Sequence, residues 1–283
     1  SAAQPGETVS SATREFFDTG DRLYWKVVVK GHYAGEIVRT GELTVTTALP
    51  PFWTAGGDPA TVIHCWPGAP GDNDGTSWRH AYTSFAAALA AFAADETKTE
   101  LWLGGTDAFA VAEPFAIERA VAVRGGFTCG ESAPEERPFT QYATLDGGFA
   151  SDLVTSALAA GTLTFDGIAF RAAASHALVK TGLGDLALLN CRFANCGSVG
   201  PTVGAGVNMT GAANLVVSNC TFDSCLSSQG AADNKNDFAY GLYLEGLASA
   251  LVEDTTFVDC GYPVNSTCSR SYAKGSVVQA NGT

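Results

Sequence analysis

The residues able to do chemistry are scattered along this chain. Glycoside hydrolysis needs two carboxylates about 5–10 Å apart. A polysaccharide lyase needs a base, usually Arg or Lys, commonly with acidic calcium ligands. Two acidic runs offer oxygens for calcium: Asp72-Asn73-Asp74-Gly75 and Asp233-Asn234-Lys235-Asn236-Asp237. Neither has the distal bidentate Glu of a helix–loop–helix calcium site, and Asp-Asn-Asp-Gly also makes a turn. His32, His64, His80 and His176 have no partner at i, i+4, so each reads as a surface or locally hydrogen-bonded imidazole. No Gly-x-Ser-x-Gly elbow supports a nucleophilic serine. Asn208, Asn219, Asn265 and Asn281 each open an Asn-x-Thr glycosylation match, read here as coincidence. Segment 226–240 carries Phe238 and Tyr240 beyond Ser, Gln, Asn and Asp. Such a loop on a rigid scaffold suits contact with a glycan or protein, or folds its aromatics back onto the chain. No catalytic residue is assigned, and no cofactor beyond calcium at Asp72, Asp74, Asp233 or Asp237.

Composition narrows the classes. The chain has 283 residues, 46% apolar and 16% charged, with 29 acidic against 16 basic side chains. That much apolar surface excludes a disordered chain. A net charge of −13 excludes the basic patches of a nucleic-acid binder. No apolar run approaches the ~20 residues of a membrane-spanning helix. Ser1 opens a polar stretch, as expected of a processed or excised chain.

Eight cysteines, Cys65, Cys129, Cys191, Cys196, Cys220, Cys225, Cys260 and Cys268, lack Cys-x-x-Cys spacing. An even count fits disulfides and an oxidising compartment. Cys65 with Cys129 is the expected bond, and Cys260 with Cys268 is close enough in sequence.

The elements that must position these groups are mostly strands. Leu23–Val29 and Glu42–Thr47 read as two strands of an N-terminal β segment over 1–50, and residues 51–83 as linker and irregular lead-in loop, dense in Gly and Pro,. Residues 84–95 read as a helix. Phe85, Leu89 and Phe92 form one apolar stripe, and Ser84 is its cap,. From Leu101 onward short strands repeat. Aligned on Phe170, Phe193, Phe222 and Phe257, four copies share apolar positions seven, five, two and zero residues before the Phe. The extra step between the second and third positions is a corner between two sheets. A further strand set at Ala177–Val179, Gly206–Met209 and Gly241–Leu244 precedes the next copy. The interval between copies varies while the inward set does not, which marks a solenoid. The expected fold is all-β: a right-handed parallel β-helix over 84–283 with one capping helix. Leucine-rich repeats lack support, for want of a helix and a strict short period; a β-sandwich is the other rival.

Stacking at ~4.8 Å per coil makes the four Phe an internal ladder. Gly167, Asn190, Asn219 and Asp254 fall at the corner, where Asn tolerates left-handed backbone. Cys191 and Cys220 share one inward position, and Cys196, Cys225 and Cys260 another. Parallel strands aim such side chains the same way, so these cysteines are either paired as Cys191–Cys220 and Cys196–Cys225 or remain buried thiols. The outward columns Ala169, Arg192, Thr221, Thr256 and Thr164, Ala187, Val216, Leu251 stack neither two carboxylates nor a carboxylate on a base. Gly275–Thr283 starts another copy with no Phe after it, so the array is expected to continue.

Two resemblances add to this reading. Gly20–Val27 followed by Thr40–Thr47 resembles the closing hairpin of a fibronectin type III domain. Asp74-Gly75-Thr76-Ser77-Trp78, Ala81–Phe85 and the alanine-rich helix are similar to the opening of bacterial right-handed β-helix surface proteins of the pectin-lyase-like fold. Leu101-Trp102-Leu103 and Val121–Phe127 resemble their first coil. The later copies resemble polymorphic outer membrane protein repeats, with Cys196, Cys225 and Cys260 where Asn is usual in Phe-x-x-Asn. The resemblance implies a non-catalytic extracellular module of a secreted or surface-anchored bacterial protein. It would be a rigid stalk and an adhesion or glycan-recognition scaffold, with a polysaccharide or a host or cell-surface protein as partner. The alternative on the same fold is a polysaccharide lyase or glycoside hydrolase.

Overall fold

The computed structural model describes residues 22–31, 35–44, 56–138, 140–197, 206–225, 241–258, 260 and 278–281. His32, Asp233, Asp237, Phe238, Tyr240, Asn265 and Cys268 lie outside them. The chain divides into two units, Ser1–Pro51 and Phe52–Thr283. The first contains an antiparallel hairpin, Arg22–Gly31 with Gly35–Thr44. Its second strand begins at Gly35, earlier than residue 42; the sequence does not mark that start, because Gly35, Glu36, Arg39 and Gly41 interrupt the β-branched pattern there.

The second unit is a parallel β-helix built of three all-parallel sheets. The first sheet runs from Val62–Cys65 through Glu100–Gly104, Val121–Phe127, Thr162–Asp166, Asp185–Leu189 and Asn214–Ser218 to Ser249–Glu253. The second runs from Ala108–Ala110 to Thr256–Val258 and the third from Phe115–Ala116 to Val278–Asn281. From Glu100 onward each winding of the chain gives one strand to each sheet in that order.

The repeat alignment holds residue by residue. Phe170 pairs with Phe193, Phe193 with Phe222, and Phe222 with Phe257. Their rings stack at 4.7, 4.4 and 4.8 Å between centroids. Below them Leu145 and Phe109 continue the column. Leu163, Phe165 and Ile168 in one coil, and Leu186, Leu188 and Cys191 in the next, are buried as the inward set requires.

The helix spans Phe85–Ala94, and Ser84 Oγ accepts from the Ala87 N–H at 3.2 Å. Phe85, Ala88 and Phe92 are buried against the stack, with Leu89 half-buried at the flank. Phe85 meets Phe115 edge-on at 4.8 Å. Arg119 closes the far end. It donates to the carbonyls of Asp95, Glu96 and Lys98 and lies 3.8 Å from the Phe92 ring centroid. One strand sits inside the expected loop over 51–83. Val62–Cys65 pairs with Glu100–Leu103, and all four of its residues are buried. Ile63 and Cys65 face the stack core, while Val62 belongs to an outer cluster with Trp78, Trp102 and Phe127. Among the described residues no helix is long and apolar enough to cross a membrane.

Phe193 and Phe222 each have a ring above and below, while Phe257 has a described ring neighbour on one side. Phe193→Ala and Phe222→Ala should each cost roughly 3–5 kcal/mol in urea unfolding, and half-exposed Phe257→Ala clearly less. Equal costs at all three would refute the ladder.

Candidate functional site

The corner between the first and second sheets gathers the polar side chains. In each coil from Val121 onward it is crossed by one residue in left-handed backbone: Gly126 (φ 83°), Gly167 (73°), Asn190 (51°), Asn219 (53°) and Asp254 (47°). A Cβ on Gly167 would lie 2.9 Å from the Gly125 carbonyl oxygen, so this left-handed position lacks the room for a side chain. One coil up the room exists, and amides fill it. Asn219 Nδ2 donates to Asn190 Oδ1 at 2.7 Å, and Asn190 Nδ2 donates to Asp166 Oδ1 at 2.7 Å.

Asp166 terminates this amide ladder. Its Oδ2 accepts from Arg124 at 3.1 Å and from Arg137 at 2.6 Å. Arg124 also reaches Glu100 at 3.0 Å. The parallel register places Asp166 beside Arg124 on the outside of the first sheet. The outward columns read from the sequence omitted Asp166 and Arg171. Those columns hold no such pair among themselves, but the positions beside them and the lower coils do: carboxylates stack on bases at Arg124–Asp166, Asp146–Arg171 and, diagonally, Arg192–Asp223. Arg137 arrives from a different source. Most coils cross this corner in one or two residues, but between Val121–Phe127 and Ala143–Asp146 the chain makes a long excursion containing the 3-10 turn Pro134–Glu136. The same excursion supplies Gln141, which donates to the Phe127 carbonyl at 2.7 Å, and Tyr142, which is 40% exposed.

Between the excursion and the ladder lies a hollow of about 290 Å³. Gly125, Gly126 and Gly167 form its floor. Gln141 and Tyr142 stand at its side, and Asn190 and Asn219 at its upper end. The charges beside it are paired. What faces the hollow is amide, glycine backbone and one aromatic ring, a set that binds hydroxylated ligands by hydrogen bonds and ring contact.

Other candidates are spent on the fold. His64 is buried, accepts from the Gly57 N–H at Nε2 and donates from Nδ1 to the Gly75 carbonyl, each at 3.0 Å. Burial lowers its pKa to about 4; the bond to Gly75 works against this and nearby Lys98 adds to it. Asp74 Oδ1 accepts from the Thr76 N–H and hydroxyl, Asn73 Oδ1 from the Thr83 N–H, and Asp72 sits by His80. Asp74 thus closes a local turn and Asn73 ties it to Thr83, and among the described residues no group of three or more His, Cys, Asp or Glu converges as metal ligands. His176 faces Asp152, which also accepts its N–H. Lys180 points inward between Ser156 and Met209, and its ammonium donates to the Thr181 carbonyl at 2.7 Å.

The disulfide expectation is corrected as well. Cys65, Cys129, Cys191, Cys196, Cys220, Cys225 and Cys260 are all buried free thiols. Cys65 is not in a loop but ends a strand and faces the stack core, whereas Cys129 packs in the outer cluster. Left-handed backbone at Cys129 (φ 70°) turns its sulfur against Gly104. Burial pushes both thiols well above their usual range, so they are poor thiolates. The cysteine count therefore gives no support to an oxidising compartment.

A family described as a right-handed β-helix region matches residues 156–283. The fold is thus a right-handed parallel β-helix, all-β apart from its helix. No curated protein and no solved structure matches the chain. Arg124, Asp166, Arg137, Gln141 and Tyr142 were not found from sequence. The available signal was the long interval between Phe127 and Ala143 at a corner that coils above cross in one or two residues.

Two measurements check the polar framework. Asp166→Asn leaves buried Arg137 without its counter-charge and should cost roughly 3–5 kcal/mol. Asp223→Asn, at the half-exposed Arg192 pair, should cost no more than about 1 kcal/mol; similar losses for both would sink the network. His64 binds a proton more readily unfolded, at 6.5, than folded, at about 4. Its contribution is complete above pH 6.5 and falls as pH drops towards 4, by roughly 3 kcal/mol in all. Stability of wild type and His64→Gln, followed across that interval, should fall more steeply in wild type; parallel profiles refute it.

Proposed function

We propose that this β-helix is a non-catalytic recognition module of a secreted or surface-anchored bacterial protein. It is a rigid stalk that holds a saccharide at the corner hollow. One observation carries the reading: an open hollow on a rigid scaffold, faced by the amides of Gln141, Asn190 and Asn219 and by exposed Tyr142. Amides donate and accept at once, as sugar hydroxyls do, and an aromatic ring offers an apolar face with a polar tip. Because backbone register holds Asn190 and Asn219 in place, little of their ordering entropy is lost on binding. The location at a cell surface rests on the resemblance to bacterial β-helix surface proteins, and so does the partner class.

A second reading draws on the same corner. Arg124 and Arg137 beside Asp166 are the base-and-carboxylate grouping of a polysaccharide lyase on this fold. Against it, both oxygens of Asp166 already accept hydrogen bonds from Arg124, Arg137 and Asn190, and the carboxylate is buried. An acid or base must reach the proton it transfers.

The test is a glycan array run beside assays for reducing ends and unsaturated products. Binding without turnover, weakened in Tyr142→Ala, is the expected result. Turnover abolished by Arg124→Ala would establish the lyase instead. A protein that retains no saccharide overturns both.

A further inference from the structure

We infer that the ligand of the corner hollow is an uncharged glycan laid along the axis of the stack, its successive rings read by Asn190 and Asn219. This rests on the recognition reading above and adds the ligand's charge class and direction.

The direction follows from where the hollow's walls come from. Gly126, Gly167, Asn190 and Asn219 belong to successive coils, so the hollow is drawn out along the stack. Neighbouring coils are ~4.8 Å apart, close to the advance of one pyranose ring in an extended β-linked chain. Amides of successive coils therefore fall opposite successive rings. Each side-chain amide carries two N–H donors. Asn190 and Asn219 each spend one on the ladder. Among the described residues the second hydrogen of each, and Oδ1 of Asn219, have no protein partner. The ladder thus fixes the amide planes while leaving one side of each for a ligand. Tyr142, at the open edge, offers its ring to the first sugar.

The charge class follows from the surroundings. At the lower end Arg124 and Arg137 are neutralised by Asp166 and Glu100, so no cation is left to receive a carboxylate. At the upper end the corner passes from Asn219 to Asp254, with Glu253 beside it. An acidic glycan following the ladder would meet these carboxylates on a chain of net charge −13,. A neutral one meets acceptors.

The experiment is calorimetric titration of the full chain with neutral cello-, xylo- and manno-oligosaccharides and with oligogalacturonides, each from monosaccharide to hexasaccharide. At least one neutral series should bind, with affinity rising over the first few rings and then levelling. Oligogalacturonides should bind at least about tenfold more weakly. Asn219→Gly keeps the left-handed corner and removes the amide. It should weaken the longer ligands about tenfold, the value of one lost hydrogen bond, and leave the shortest binding ligand unchanged. Asn195→Gly, at the left-handed corner beyond the second sheet (φ 54°), controls for backbone loosening and should change nothing. Tighter binding of oligogalacturonides, affinity independent of length, or equal losses in the two variants would overturn the inference while leaving saccharide recognition standing. Failure of every series to bind overturns recognition itself.

Discussion

A chain that winds through three parallel sheets must turn at each corner without losing register, and left-handed backbone is the device that allows this here. Asn190 and Asn219 show how it works. Each turns the chain in positive φ, yet its N–H still donates to the coil above, to Ser218 and Glu253 respectively. The corner beyond the second sheet repeats the solution with Ala172, Asn195 and Ser224, whose N–H groups donate to Ala194, Asp223 and Val258. Because the hydrogen-bond ladder runs through the corners, one coil cannot slip against the next. The phenylalanines are then forced into register and their rings stack nearly parallel, at interplanar angles of 7°, 2° and 10°. Burying each is worth on the order of 1.5–3 kcal/mol, but register decides whether that burial is collected.

The same constraint explains what could be read from sequence. The inward set around Phe170, Phe193, Phe222 and Phe257 was legible because corners fix spacing inside a coil while loops elsewhere change length freely. Asn190 and Asn219 were legible as turn residues for the same reason. The strand Val62–Cys65 was not. It is buried on both faces, in the stack and under Trp78, so alternation is absent. Arg124 and Asp166 stand 42 residues apart, and the coil holding Arg124 has Leu145 in the Phe column, which leaves nothing to align on. Arg137, Gln141 and Tyr142 sit in the excursion, where no repeat applies. The framework of the candidate site was thus visible, and the groups that make it a site were not.

The cysteines show how far stacking alone can mislead. Cys191 and Cys220 are neighbours in successive coils, and the Cys191 N–H lies 3.4 Å from the Cys220 sulfur. Parallel register brings their Cα atoms close enough for a bond but aims both side chains in one direction. Their sulfurs instead face carbonyls: Cys191 that of Leu189 at 3.2 Å, Cys220 that of Ser218 at 3.4 Å. They act as small apolar fillers behind a turn that Asn makes, so the stack needs no covalent link to keep its coils together.

The corner position accepts Gly or a short polar residue for one reason, and the difference between Gly and Asn builds the site. Left-handed backbone favours Gly and Asn alike. Where a neighbouring backbone comes close, as Gly125 does to Gly167, only Gly fits and the corner is hollow. Where it does not, Asn fits and projects an amide. The step from Gly167 to Asn190 is therefore a step from void to hydrogen-bonding wall within one coil. Asp166, immediately before Gly167, is placed to receive the lowest amide, and that carboxylate requires Arg124 and Arg137 to be tolerated when buried. The excursion that delivers Arg137 also delivers Gln141 and Tyr142 to the opposite side of the void. The ion network, the ladder and the open hollow are thus consequences of a single change of residue at one corner.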